Sequence, residues 1–78
     1  MRIGHYLKQQ RSLREIPLAD VATVTRIPVR WLQAIESDDL GQLPGKTFVR
    51  GYIRAYANCI GLDINDVMLR LDHDAANY

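Results

Sequence analysis

IPLADVATVTRIPVRWLQAIES, from Ile16 to Ser37, holds two short helical patterns separated by only a few residues. Pro17 fixes its own φ and opens the first pattern, in which Leu18, Val21 and Ala22 recur at three- and four-residue spacing and Asp20 favours the first turn. Thr23, Thr25 and Arg26 interrupt it. Pro28 starts the second, whose inward residues are Leu32 and Ile35 with Trp31 beside them, and which ends near Ser37. Two short helices joined by so brief a turn are the geometric unit of a helix-turn-helix.

The flanks extend the same pattern. Ile3, Tyr6, Leu7 and Leu13 sit at roughly helical spacing among Lys8, Gln9, Gln10, Arg11 and Ser12, which predicts an amphipathic helix over about residues 3 to 14. Asp38 to Gly45, rich in aspartate and glycine and containing Pro44, reads as a loop that Leu40 and Leu43 anchor to the core. A further helix is expected from Lys46 to Ile60, stopping at Gly61, a residue suited to the left-handed position just past a helix end. Asp63 then caps a last helix carrying Ile64, Val67, Met68 and Leu71 on one side. Asp72 to Tyr78 reads as a frayed tail. No alternating run is long enough for a strand. The expectation is an all-α chain of five helices, one domain over residues 1–78 with its core in about 3–71.

Composition narrows the function. The chain has 78 residues, 47% of them hydrophobic and 24% charged, as in a globular domain. A chain this short buries only about 60% of its unfolded surface, and the single cysteine forms no internal disulfide, so the packing must be tight. No apolar run approaches the roughly 18 residues of a membrane span, and Met1 to Leu13 lacks a signal-peptide core, which makes the cytoplasm the expected compartment. A net charge of +1 leaves any electrostatic recognition to local placement.

Chemistry is hard to find. Gly41 to Thr47, GQLPGKT, ends like a phosphate-binding loop, but only three residues separate its glycines and a helix, not a strand, precedes it. His5 and His73 lie at opposite ends and Cys59 stands alone, so no zinc-site spacing exists. Cys59 reads as a small buried hydrophobe and His5 as a solvated residue. Asp38 and Asp39 read as a solvated acidic turn, in a domain too small to enclose a water-excluding pocket. No enzyme activity, cofactor or metal is expected.

Val21-Ala22, Ile27, Leu32 and Ile35-Glu36 resemble the hydrophobic skeleton of the lambda-repressor-like helix-turn-helix superfamily, with Glu36 at its common acidic position. Leu43 to Asp63, LPGKTFVRGYIRAYANCIGLD, is more specific: it resembles the signature of the RodZ-like helix-turn-helix domain, the cytoplasmic N-terminal part of a bacterial cell-shape membrane protein. The likeness covers about residues 3 to 71. It implies a five-helix repressor-like fold whose partner is the actin-like filament protein MreB, contacted through Phe48 and Tyr52, with Tyr56 one turn on. It also implies that this segment is part of a longer chain with a basic juxtamembrane stretch and a membrane span; the segment itself is not expected to touch the membrane.

The fourth helix has apolar surface to spare: Phe48, Val49, Tyr52, Ile53, Ala55, Tyr56, Cys59 and Ile60 cover an arc of about 160°, wider than the roughly 100° that docking to a core needs. With Val49, Ile53 and Ile60 inward, Phe48 and Tyr52 fall at the edge of the stripe, while Tyr56 suits the core as well as the contact face. Gly51, at a cost of about 1 kcal/mol relative to alanine, points to a close approach. Arg50 and Arg54 lie opposite, as a solvated face or as a rim orienting an acidic partner. The alternative function is sequence-specific DNA binding through the third helix, with Val29, Arg30 and Gln33 at base edges and Arg26 beside them, provided Arg11, Arg14, Arg26 and Arg30 form one basic face. Against it, Pro17 and Leu18 stand where DNA-binding relatives carry phosphate-holding side chains, and Arg26 replaces their turn glycine.

Overall fold

In a computed structural model that describes residues 2–75, the chain forms α1 (Ile3–Leu13), α2 (Leu18–Thr25), α3 (Val29–Glu36), a 3₁₀ turn (Leu40–Gln42), α4 (Lys46–Cys59) and α5 (Ile64–Ala75). The described residues contain no strand. The core is built from Ile3 and Leu7 of α1, Val21 of α2, Leu32 and Ile35 of α3, Ile53, Tyr56 and Ile60 of α4, and Val67 and Leu71 of α5. Leu43 is buried and Leu40 packs on the same core, so the loop is anchored as its sequence suggests.

Helix ends explain most of the boundaries. Pro17 and Pro28 are the N-caps of α2 and α3, each with extended ψ. Thr23 and Thr25 do not interrupt α2. Their hydroxyls donate to the carbonyls of Ala19 and Val21, at 3.0 and 2.6 Å, which accommodates both threonines within the helix. The stop comes at Arg26, in the left-handed region with φ 61°, ψ 22°, a conformation that costs an L-residue about 1 kcal/mol. Gly61 (φ 82°) ends α4, and Asp63 caps α5 by accepting from the Asp66 N–H at 3.0 Å.

The first turn of α1 is held by residues remote in sequence. Asp38 accepts from the Gly4 N–H at 2.7 Å and from the His5 N–H at 3.2 Å, and Asp74 accepts from the Ile3 N–H. Two carboxylates thus satisfy three of the donors that a helix start leaves unpaired, where the positive end of its dipole favours them. Gly4 is required here: a Cβ on it would lie 1.9 Å from the Ile35 carbonyl oxygen. This corrects two expectations. Asp38 is half-buried and structural, although Asp39 is exposed. The chain beyond Leu71 does not fray at Asp72, because α5 runs on to Ala75 and Asp74 is tied to α1. Ala76 to Tyr78, the rest of the expected tail, lie outside the described residues.

A buried polar network joins three helices. Glu36, at the end of α3, accepts from Arg11 Nε at 2.8 Å and Nη2 at 3.2 Å, and from the Tyr56 hydroxyl. Arg11 also reaches the Ile16 carbonyl at 2.8 Å. The Arg11 and Glu36 side chains are only 14% and 7% exposed. No buried side-chain polar atom among the described residues lacks a partner. Breaking such a pair by removing one member costs about 3–5 kcal/mol, because the other charge stays buried.

Burial first, and then the Glu36 carboxylate, push the Tyr56 phenol well above its ordinary value. The folded state therefore keeps this proton at a pH where the unfolded chain has released it, and stability falls as pH rises past about 10. Thermal unfolding between about pH 9 and 11 should show that loss, and Tyr56→Phe should reduce it. An equal loss in both proteins would remove this account of the phenol.

Candidate functional site

The first turn of α3 and the outer edge of α4 carry one strip of rings. Trp31 and Tyr52 are half-buried with their centroids 5.7 Å apart, and Phe48 stands 6.3 Å from Tyr52. Both pairs are tilted, at 39° and 33°, within the range in which aromatic edges and faces attract. The Arg30 guanidinium extends the strip, 5.5 Å from the Trp31 centroid. Phe48 is the most open ring of the strip, 59% exposed. Its position follows from the helical period: with Ile53, Tyr56 and Ile60 inward, Phe48 and Tyr52 fall at the border of the buried arc.

Of the five residues expected on the partner-binding face, the structure brings Phe48 and Tyr52 together and separates the rest. Tyr56 is fully buried and bonded to Glu36, so it belongs to the core and not to a contact surface. Arg50 pairs with Asp72 of α5, with both side chains more than half exposed, at the edge of α4 away from the rings. Arg54 is exposed one turn on from Arg50. Gly51 is exposed, and nothing of the chain lies within 4 Å of the place a Cβ would take, so the close approach expected there is not made inside the domain. Cys59 is half-buried, not fully enclosed as expected, and His5 is exposed.

The residues of the alternative face are accessible: Arg26, Val29, Arg30 and Gln33 are all exposed. The four-arginine face is not formed as expected. Arg11 is withdrawn into its pairing with Glu36, and Arg14 bonds the Gln10 carbonyl and side chain on its own helix, at 3.0 and 2.9 Å. Neither α2 nor α3 has a side-chain cap at its N-terminus. The GQLPGKT stretch lies in the 3₁₀ turn and the start of α4, with no strand before it.

Sequence reading missed Trp31 as a site residue. It is the only tryptophan and neighbours Arg30, but its stacking on Tyr52 depends on how α3 meets α4. Leu13, Val24 and Leu69 are exposed as well.

Comparison with known proteins fits this architecture. The sequence profile of a family described as a helix-turn-helix domain matches residues 6–67. The chain belongs to that family. It is 35% identical over 60 residues to the uncharacterized membrane protein YmfM of Bacillus subtilis, and 33% identical over 61 residues to the cytoskeleton protein RodZ of Streptococcus pneumoniae. These alignments take in 77% and 78% of this chain but 21% and 22% of the relatives, so the chain spans about a fifth of their length. The structure of YmfM from Staphylococcus aureus, a membrane protein for which DNA binding has been suggested, superposes with a TM-score of 0.88 at 27% identity, over 95% of this chain and 90% of that one. This is a RodZ-like helix-turn-helix domain with a five-helix all-α fold. No helix among the described residues is long and apolar enough to cross a membrane.

Surface and core rings separate in stability. Phe48→Ala should cost under about 1 kcal/mol, whereas Tyr56→Ala should cost about 3–5 kcal/mol, as measured by denaturant unfolding. A large loss for Phe48→Ala would place that ring in the core.

Proposed function

We propose that this RodZ-like domain is a cytoplasmic adaptor of a membrane-anchored cell-shape protein, and that it binds the actin-like filament protein MreB through the ring-bearing edge of α4. The observation that carries this reading is the exposure of Phe48 beside Tyr52, on a helix whose inward residues already suffice for the core. Open rings on a rigid helix make effective anchors, because they bury large area at little conformational cost. Phe48 enters an apolar pocket of the partner, Tyr52 supports it, and the open backbone beside Gly51 lets the partner come close to the helix. Arg54 forms the rim, and Arg50, paired with Asp72, lies outside it. The relation to the pneumococcal cytoskeleton protein RodZ supports the same reading. No catalytic role accompanies it.

Co-sedimentation with MreB filaments tests the proposal. The domain should pellet with filaments, and the double variant Phe48→Ala, Tyr52→Ala should stay in the supernatant while its circular dichroism remains that of the folded protein. Undiminished pelleting of the folded variant would end this reading.

A second reading is DNA binding through α3, supported by the suggestion made for the Staphylococcus aureus YmfM and by the exposure of Arg26, Val29, Arg30 and Gln33. It is the weaker of the two, because Arg11 is spent inside the fold and both helices of the motif begin at a proline. On this reading, duplex affinity falls steeply with salt and drops further with Arg30→Ala; on the filament reading, the domain shows no measurable duplex binding even at low salt.

A further inference from the structure

We infer that Arg30, laid over the Trp31 ring, extends the filament-binding surface from α4 onto α3 and pairs with a carboxylate of the partner, so that the surface fits an acidic protein face with an apolar pocket at its centre. This rests on the filament reading above. The strip is continuous across the two helices: guanidinium to indole 5.5 Å, indole to Tyr52 5.7 Å, Tyr52 to Phe48 6.3 Å. A partner that covers Phe48 and Tyr52 therefore has Trp31 and Arg30 next in line.

The charge of the two helices is one-sided. Together α3 and α4 carry Arg30, Lys46, Arg50 and Arg54, and their single acid, Glu36, is almost fully buried and engaged by Arg11 and Tyr56. Arg50 is answered by Asp72, whereas Arg30 rests against the face of a ring. A guanidinium held over an indole has part of its rotamer freedom already lost, which suits bidentate contact with a carboxylate. Phosphate would accept the same contact. The far end of the strip decides between them, because Phe48 is open and carries no hydrogen-bond donor, and a duplex backbone offers no apolar pocket to enclose it. Trp31 is then a positioning residue, acting through Arg30.

The test is co-sedimentation of the 78-residue chain with MreB filaments at low and at physiological salt. Arg30→Glu should weaken binding about tenfold at low salt, with the gap to the unaltered protein narrowing as salt rises, since a rim charge acts mainly through screened attraction. Arg30→Lys should recover only part of the loss, because an ammonium neither forks nor stacks as guanidinium does. Trp31→Ala should lower the salt sensitivity of binding along with its strength, and Trp31→Phe should restore both. Phe48→Ala should abolish pelleting at both salts. Arg30→Glu pelleting like the unaltered protein at low salt, with Phe48→Ala lost, would overturn the inference and leave the filament reading standing. Loss of duplex binding in Arg30→Glu with filament binding intact would assign the residue to DNA and overturn it too. If Phe48→Ala still pellets, the filament reading falls, and the inference with it.

Discussion

The Arg11, Glu36 and Tyr56 network is the constraint on which the rest of the domain depends. It places one charged pair and one phenol where α1, the end of α3 and the last turn of α4 converge, and no buried side-chain nitrogen or oxygen in it lacks a partner. Buried ion pairs rarely add net stability relative to well-packed apolar residues of the same volume. Their geometry, however, tolerates little displacement, because moving any of the three helices leaves a charge or a hydroxyl unpaired in a low-dielectric interior. The network therefore sets how α4 is rotated about its own axis. With Tyr56 fixed inward, Tyr52 and Phe48 are carried to the border of the buried arc.

That rotation determines what the surface offers. The α4 edge alone presents two rings, but α3 adjoins it at Trp31 and supplies the cation beyond. The helix that reads DNA in other proteins of this architecture and the helix that bears the exposed phenylalanine are neighbours on one face here. Removal of Arg11 from that face matters equally: the same residue that holds the interior together is lost to any cationic surface.

Much of this was legible from residue spacing. The five helices, the stop at Gly61, the Asp63 cap and the loop anchors Leu40 and Leu43 follow from local patterns that the packing did not override. Thr23 and Thr25 misled because β-branched hydroxyl residues disfavour helix only until their side chains bond to the preceding turn. Asp38 looked like a solvated acid and Asp74 like part of a frayed tail, since their partners are amides 34 and 71 residues away and no local pattern announces them. Tyr56 lay on the boundary between core and surface on the helical wheel, and the core packing of its ring with the bonds of its hydroxyl to Glu36 and the Leu7 carbonyl resolve it inward. Trp31 and Tyr52 meet through tertiary packing alone.

The bond between Ile3 and Asp74 has a mechanical consequence. It pins the last turn of α5 to the first turn of α1, so tension applied between the two ends of the described chain passes directly across this junction. The remaining helices are bypassed while the junction holds. The rings on α3 and α4 therefore sit off the load path, and their arrangement is insulated from a pull on the termini that would otherwise be the first thing to disturb it.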